Sequence, residues 1–298
     1  MDHEVYRSDL LAHCYRMLGS FDEAEDLVQE TLLRAWKAAD RYDPDKASVR
    51  TWLHRIATNV CLTALEGRAR RPLPSGIGVA GDDPQVPLIP NLDIPWLQPF
   101  PSDPADTTEQ RAGLRLALVA ALQLLPARQR AALVLREVLQ LPAADVAKTL
   151  DTSVASVNSS LQRARATVRA AGVSIEGLRE PADPGERAVV EKYLAAFEAA
   201  DVPALTQLLA DDVVLEMPPV ALWLAGRDHY REFLDRVFTM RGTGWRAVPV
   251  EANGGPAFAA WTPDGRPHSV QVFDVRDGLV QRCVTFADTT VLRGFALP

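Results

Sequence analysis

The pattern of apolar and polar positions predicts three amphipathic helices within residues 1–71, because apolar side chains recur there every three or four residues. Ser20 and Glu23 have the spacing of a capping box, which places the start of the second helix at this point. We expect the buried face of that second helix to include Trp36. A polar run at residues 40–45 separates it from the third helix. The segment is therefore predicted to be a small helical bundle.

The helical pattern is lost in residues 72–108. Nine of these 37 residues are proline and none is Lys or Arg, which is typical of a linker that is stiff where prolines cluster. One apolar island, IPWLQPF at residues 94–100, interrupts it. The island is interpreted either as local collapse against a neighbouring surface or as a docking motif.

Helical periodicity returns in residues 109–171. Pro142 suits the first position of a short helix, and Asp151 stands where a tight turn needs a left-handed residue. The next helix, SVASVNSSLQRAR at residues 153–165, has apolar residues on one face and Ser, Asn, Gln and Arg on the other. This pattern is typical of a DNA-reading helix-turn-helix, although a helical hairpin with a solvated polar face would look the same.

The last part of the chain changes pattern again. After a connector at residues 172–185, two or three helices are followed by alternating strands with turn signals such as Asn253-Gly254 and Asp277-Gly278. Helices followed by a meander of strands predict an α+β domain over residues 186–298.

Composition limits the classes of protein that need to be considered. The chain has 298 residues, 47% of them apolar and 24% charged, and no apolar run long enough to span a bilayer, so no membrane partner is predicted. The three cysteines lie far apart in apolar stretches, which indicates buried thiols in a reducing cytoplasm. The histidines have no metal-ligand spacing. We therefore predict a cytoplasmic protein without a metal or cofactor.

The net charge of −7 is unevenly distributed along the chain. Residues 109–172 hold 9 Lys and Arg against 4 Asp and Glu, and they form the only basic block. Residues 73–108 hold no basic residue and 5 acidic ones. Because the predicted helix-turn-helix lies in the basic block, the acidity of the whole chain does not exclude contact with DNA.

Three stretches carry a resemblance to a known family: DEAEDLVQETLLRAW, RTWLHRIATN and LPARQRAALVLREVLQLPAADVAKTL. They resemble RNA polymerase sigma factors of the extracytoplasmic-function (ECF) group, in the subgroup with a C-terminal SnoaL-like domain. The similarity covers residues 5–71, the sigma-2 module, and 110–170, the sigma-4 module. It implies that the chain binds core RNA polymerase and promoter DNA.

The second helix carries a polar stripe off its buried face, at positions i, i+3, i+4 and i+7. The resemblance makes this stripe the dock for the polymerase clamp, and residues 125–130 match the segment next to the polymerase flap. The alternative is a solvated acidic face with an ion pair between Glu30 and Arg34. Leu33 favours docking, because a large apolar side chain is not expected on a purely solvated face. The predicted core-polymerase-binding residues are Asp26, Gln29, Glu30, Leu33 and Arg34.

The resemblance also implies two surfaces that contact DNA. For the minus-ten element the predicted residues are Arg50, Trp52, Arg55, Asn59, Arg68, Arg70 and Arg71. For the minus-thirty-five element they are Ser153, Ser156, Asn158, Ser159, Gln162, Arg163 and Arg165. Trp52 has the alternative of a core tryptophan. The acidic linker is hypothesised to run through a basic channel of polymerase, where its Asp residues would mimic the charge of nucleic acid.

Residues 186–298 resemble the SnoaL-like fold, in which helices close a curved sheet into a cone. A cone can hold an apolar cavity and a small-molecule ligand. The candidate cavity residues are Glu216, Trp223, His229, Tyr230 and Asp288. No paired constellation in the sequence demands catalysis. Three interpretations stay open: a regulatory domain that acts in cis, an enzyme acting on a small carbonyl compound, and a domain that only stabilises the protein.

The predicted fold is multidomain: two all-α sigma modules, a helical bundle and a helix-turn-helix, followed by an α+β SnoaL-like, cystatin-like cone. The predicted boundaries are 1–71 for the sigma-2 module, 72–108 for the linker, 109–171 for the sigma-4 module, 172–185 for the connector and 186–298 for the C-terminal domain. The predicted function is a non-enzymatic sigma factor modulated in cis. The alternatives are a ligand-responsive DNA-binding regulator that works without core polymerase, and a SnoaL-like enzyme fused to a DNA-binding module.

Overall fold

The structure, a computed structural model, describes residues 4–102, 113–174, 184–295 and 297. The chain divides into two compact units, residues 1–71 with 106–180 and residues 72–105 with 181–298. The predicted ends of the linker at residue 108 and of the connector at residue 185 fall at or beside segments outside the described residues. The second unit thus contains most of the predicted linker together with the C-terminal part of the chain.

The first unit contains helices and, over its described residues, no strand. Its helices are α1 (Arg7–Leu18), α2 (Phe21–Lys37), α3 (Val49–Ala64), α4 (Leu116–Gln123), α5 (Ala127–Leu133) with a π-helical continuation (Val134–Val138), α6 (Ala143–Thr149) and α7 (Val154–Ala170). Serine hydroxyls at positions 20, 48 and 153 accept the amide of the third helical residue and so cap α2, α3 and α7. The first of these caps is the one that the sequence predicts.

The two helical modules of this unit pack against one another. Helix α1 contacts α4 and α5, and α3 contacts α5 and α6. The guanidinium of Arg130 on α5 is buried and donates hydrogen bonds to the carbonyl oxygens of Gln123, Leu125 and Met17, the last of these on α1. A charged donor shared between buried carbonyls therefore joins the second module to the first.

One expectation about α2 is wrong. Trp36 is not in the buried face of the helix, since 73% of its surface is exposed. The residues that α2 buries are Ala24, Val28, Thr31 and Ala35, a narrow stripe of small side chains. Small residues let α2 approach α1 and α3 closely and leave the bulky indole outside.

The second unit combines helices with one sheet. The helices are α8 (Pro184–Glu198), α9 (Val202–Gln207) and α10 (Arg227–Arg241), and the strands are β1 (Leu209–Glu216), β2 (Trp223–Ala225), β3 (Arg246–Ala252), β4 (Gly255–Trp261), β5 (Pro267–Arg276) and β6 (Leu279–Phe286). The strand order is β2-β1-β6-β5-β4-β3, and β1 runs parallel to β6 while the other pairs are antiparallel. The α+β class predicted for this domain is confirmed.

The turn signals of the sequence also form as predicted. Asn253 and Asp277 both have φ of 53° and each precedes a glycine in the hairpins β3–β4 and β5–β6. A left-handed residue followed by glycine is the arrangement that a two-residue hairpin requires. No helix among the described residues is both long and apolar enough to cross a membrane.

Two buried histidines lie between α1 and α3 with their rings 5.3 Å apart. The hydroxyl of Thr58 lies 3.0 Å from His13 Nε2, and His54 Nδ1 donates to the carbonyl oxygen of Arg50 at 2.8 Å. Burial lowers the pKa of His54 to about 4, and burial, His54 and Arg16 lower the pKa of His13 well below its usual value. Both rings are therefore neutral at pH 7.

This pair predicts that the first unit loses stability in mild acid. Each histidine has a folded-state pKa below the unfolded value of about 6.5, so the unfolded chain binds more protons between pH 6.5 and about 4. The free energy of unfolding should fall through this window by up to about 1.4 kcal/mol per pH unit for each ring. Urea unfolding at a series of pH values, followed by pulsed hydrogen exchange of α1 and α3 peptides, measures the slope.

The control is His54→Asn, whose side-chain amide can donate to the carbonyl oxygen of Arg50 but does not titrate. This variant should lose about half of the pH dependence. An unchanged slope would show that the histidine pair is not its source.

Candidate polymerase and nucleic-acid interfaces

The outer face of α2 combines charge with exposed apolar surface. Asp26 and Gln29 are exposed, and Leu33 and Trp36 lie one and two turns beyond Gln29 with 44% and 73% of their surfaces exposed. Glu30 and Arg34 form an i,i+4 ion pair at 2.6 Å, as the solvated-face alternative expects. The two large exposed apolar side chains are what that alternative does not explain.

Helix α3 presents a polar face one turn long. Arg55 and Asn59 are both exposed and are separated by four residues, so their side chains lie on the same side of the helix. Trp52, one turn earlier, is half-buried, and its ring lies 5.1 Å from the ring of Tyr42 in the preceding loop. The Tyr42 hydroxyl donates to the carbonyl oxygen of Ala47 at 3.1 Å, which fixes that loop beside α3.

Three of the arginines predicted to contact the minus-ten element are engaged within the protein. Arg50 donates to Asp9 at 3.0 Å. Arg68 and Arg71 both donate to the carboxylate of Glu23, at 2.7 and 2.6 Å. Glu23 therefore serves two arginines beyond α3, in addition to offering its amide to the Ser20 cap. Arg70 is exposed.

Helix α7 packs one face against the core of its own module and presents a polar face on the opposite side. Val157, Leu161, Ala164 and Val168 form its buried stripe. The predicted readers are all exposed, namely Ser153, Ser156, Asn158, Ser159, Gln162, Arg163 and Arg165. Asp151 has φ of 48°, the left-handed conformation predicted for the turn. Arg165 pairs with Glu137 of the π-helical segment, and Arg163 Nη2 lies 3.5 Å from the Ser160 hydroxyl.

The five candidate cavity residues of the C-terminal domain make separate contacts, and these contacts do not place them around one common cavity. Glu216 accepts the Ser75 amide at 2.8 Å and pairs with Arg282, and the Trp223 indole donates to the carbonyl oxygen of Gly78 at 3.1 Å. His229 Nδ1 lies 2.9 Å from the carbonyl oxygen of Ala225, and the Asp288 carboxylate caps the turn at Thr290. Only Tyr230 is directed into the core described next.

Several aromatic rings cluster within the apolar core of this domain. Tyr193, Phe197, Phe258 and Phe273 lie in contact, with ring centroids 4.9 to 6.1 Å apart. The Tyr193 and Tyr230 hydroxyls are hydrogen-bonded to each other at 2.7 Å, and burial raises both of their pKa values. A pocket of about 420 Å³ on the surface between α9 and α10 contains none of the five candidates.

Comparison with known proteins assigns the three parts of the chain. Residues 3–71 match Sigma-70 region 2, residues 115–168 match Sigma-70 region 4, and residues 190–283 match the SnoaL-like domain. The chain is 45% identical to the ECF RNA polymerase sigma factor SigG of Mycobacterium tuberculosis, over 99% of this chain and 82% of that protein. The chain belongs to the ECF RNA polymerase sigma factors.

Further comparisons agree with this membership. The chain is 32% identical to the M. tuberculosis ECF sigma factor SigJ, over 71% of this chain and 62% of that protein. The crystal structure of SigJ covers 99% of this chain and 98% of its own, with a TM-score of 0.69 at 23% identity, which shows a shared fold. Sigma factors bind core RNA polymerase and promoter DNA, so the sigma-factor interpretation replaces the regulator that works without polymerase.

Sequence reasoning missed two residues of these faces of the sigma factor. Helical periodicity places Trp36 in the core, although its spacing of three from Leu33 continues the polar stripe. Glu23 was assigned only to a cap, although it neutralises two arginines that lie 45 and 48 residues later in the chain. No local pattern in the sequence signals the second contact.

The Glu23 contact predicts a gain in DNA affinity when the carboxylate is removed. In Glu23→Gln, Arg68 and Arg71 lose their ion pairs and become available to phosphates. Because each new phosphate contact steepens the dependence of log K on log salt by about 0.9, we expect a slope steeper by about 1 to 2. Fluorescence anisotropy of duplex DNA across a salt series measures it.

The matched control is Glu25→Gln on the same helix, which removes the same charge and lies outside the Arg68 and Arg71 contacts. Equal slopes for the two variants would show that only net charge had changed.

Proposed function

We propose that this sigma factor initiates transcription through three separate faces. The outer face of α2 binds the clamp of core polymerase, the exposed face of α3 opens and holds the minus-ten element, and α7 reads the minus-thirty-five element. Within residues 125–130, at the start of α5, the exposed Pro126 and Arg128 contact the flap, whereas Leu125 and Arg130 are buried in the helical unit. The observation that carries the proposal is the exposed pair Leu33 and Trp36 within the charged stripe of α2.

The chemistry of the α2 face suits a protein partner. Interfaces concentrate their binding energy in a few aromatic and apolar anchors surrounded by polar residues. Trp36 and Leu33 supply the anchors, and Asp26, Gln29 and the Glu30–Arg34 pair supply the polar rim. A basic partner surface would complement the exposed carboxylates.

The α3 face suits an unpaired base. Promoter opening requires a base to be taken out of the stack and held by aromatic rings, amides and cations. The Asn59 amide and the Arg55 guanidinium lie side by side, and the Tyr42 and Trp52 rings stand beside the same helix. Arg68, Arg70 and Arg71 lie beyond its end and would contact phosphates.

The α7 face suits the major groove. Asn and Gln amides can donate to and accept from base edges, and arginine can bind guanine or phosphate. Asn158, Gln162 and Arg163 lie at i, i+4 and i+5 and are exposed. The Ser153 cap fixes the N-terminus of the helix, which is the end that enters the groove in this type of motif.

We assign the C-terminal domain a regulatory role in cis and no catalytic one. Support comes from its core, where the buried Tyr193 and Tyr230 hydroxyls are bonded to each other among aromatic and aliphatic side chains. The candidate acids and bases Glu216, His229 and Asp288 are each hydrogen-bonded to groups of the protein, whereas a catalytic acid or base is directed at its substrate. The working compartment is the bacterial cytoplasm, because that is where polymerase and chromosome are found.

The α2 face predicts that both anchors are needed for polymerase binding. Leu33→Ala and Trp36→Ala should each weaken affinity for core polymerase by at least tenfold, since truncated interface anchors cost about 2 kcal/mol or more. The measurements are titration with labelled core polymerase and run-off transcription from a promoter found by selection. Met240→Ala, which also removes an exposed apolar side chain, is the control.

If both variants bind polymerase as tightly as the parent protein, the assignment of the α2 face fails. If the parent protein supports no run-off transcript from any selected promoter, the proposed function fails.

The α7 face predicts a difference between base and phosphate contacts. Asn158→Ala should lose discrimination at one base pair by about 1 to 3 kcal/mol, whereas Arg163→Ala should weaken binding to all sequences if it contacts phosphate. Binding to a library of minus-thirty-five variants separates the two patterns. Uniform loss in both variants would argue against base reading by Asn158.

A further inference from the structure

The linker is held by the C-terminal domain along both edges of its sheet. At one edge, the Gly81 amide donates to the carbonyl oxygen of Trp223 in β2 at 2.8 Å. At the other edge, the Ser102 amide donates to the carbonyl oxygen of Glu251 in β3 at 3.0 Å. Since β2 and β3 are the two outermost strands, the linker passes from one edge of the sheet to the other.

Side chains of the domain hold the linker backbone at points between these edges. Arg236 on α10 donates to the carbonyl oxygens of Pro84 and Val86, at 2.7 and 2.8 Å. Glu216, whose side chain is fully buried, accepts the Ser75 amide. Backbone groups of a proline-rich segment have few partners of their own, so these contacts satisfy groups that would otherwise face water or be buried unpaired.

The firmest of these contacts is reciprocal. The Phe100 amide donates to Asn253 Oδ1 at 3.0 Å, and the Asn253 amide donates to the carbonyl oxygen of Phe100 at 2.8 Å. Next to it, the Gly254 amide donates to the hydroxyl of Ser102 at 2.9 Å. The tip of the β3–β4 hairpin is thereby hydrogen-bonded to Phe100 and Ser102 of the linker.

The apolar island of the linker is buried in this bound form. Trp96, Leu97 and Phe100 expose 9%, 1% and 5% of their surfaces. The exposed apolar residues of the linker, among them Val79 and Leu92, lie outside the island. Burial of the island fits both of its interpretations, and the paired hydrogen bonds between Phe100 and Asn253 are the specific contact that a docking motif would add.

The bound linker also closes on itself. The Leu97 amide donates to the carbonyl oxygen of Pro72 at 3.1 Å, so a segment of 26 residues begins and ends at the same place. The tether between the sigma modules is then shortened to residues 97–113, which reach at most about 55 Å. Fully released, residues 72–113 could reach about 140 Å.

We propose that the C-terminal domain is a binding module whose ligand is the chain's own linker, and that this bound form must dissociate when polymerase and promoter are engaged. The proposal rests on the proposed function of the two sigma modules. Promoter elements centred near positions minus ten and minus thirty-five lie about 85 Å apart at 3.4 Å per base pair. The shortened tether, at most about 55 Å long, is shorter than this distance. A linker that is bound to the sheet also cannot follow an extended path through polymerase at the same time.

The first test measures the contact from the side of the domain. The Asn253 and Gly254 amides are bonded to the linker, so release exposes them wherever the linker goes. Hydrogen exchange of the peptide containing both, in the full chain alone, should be slow. On addition of core polymerase and promoter DNA it should become at least tenfold faster. Unchanged protection in that complex would overturn the proposal, because the linker would then be a fixed part of the domain.

The second test loosens the linker by substitution. Arg236→Ala with Asn253→Gly removes three hydrogen bonds to the linker while glycine preserves the positive φ of the turn. The control is Arg231→Ala with Asp277→Gly, which changes the same helix and the equivalent position of the other hairpin. The first variant should exchange its linker amides at least tenfold faster and give several-fold more run-off transcript at limiting polymerase, and the control should match the parent protein.

Faster linker exchange without a gain in transcript would overturn the regulatory part of the proposal. Linker amides that exchange at the unprotected rate in the parent protein would overturn the binding part. If no protein supports transcription but the linker amides are protected, the proposed function fails and the binding part stands, so the two failures are distinguishable.

Discussion

The buried guanidinium of Arg130 is the interaction on which the arrangement of the helical unit depends. It donates to carbonyl oxygens of both modules, and burial lowers its pKa only to about 10, so it remains charged at neutral pH. One of its donors, Nε, is buried without a partner among the described residues. A buried charge that is incompletely hydrogen-bonded specifies a geometry at a cost in stability. The two modules are thus joined by a contact that is specific and yet separable.

Acidic residues of the sigma modules form ion pairs with arginines of the same modules. Asp9, Glu23 and Glu137 each pair with an arginine predicted to contact DNA, and these carboxylates keep the cations in place in the absence of DNA. Each ion pair has to be broken before its arginine can contact a phosphate, so these carboxylates lower the affinity for DNA. The exposed Arg55 and Arg163 lie outside this arrangement and are the cations that DNA would meet first.

Local patterns predicted what depends on local forces, and the errors mark where distant contacts decide. The cap at Ser20, the left-handed turn at Asp151 and the hairpin at Asn253 follow from neighbours within four residues. Trp36 was misplaced because helical periodicity counts apolar residues but cannot distinguish a core face from a face for another protein. Glu216 was assigned to a cavity because nothing nearby in sequence shows that its partners are Ser75 and Arg282. The roles of the site residues in binding remain predictions.

The same limit explains why the linker looked unstructured. Its prolines and missing periodicity argue against long helices and strands, but they give no information about order supplied by a partner 141 to 153 residues further along the chain. Extended backbone with free amides and carbonyls is what the edges of a sheet can bind. The core of the domain is packed with aromatic and aliphatic side chains, and both edges of its sheet hold the linker. In this sigma factor the SnoaL-like fold thus acts as a receptor for peptide backbone, a role that a fold with many functions can take without any catalytic site.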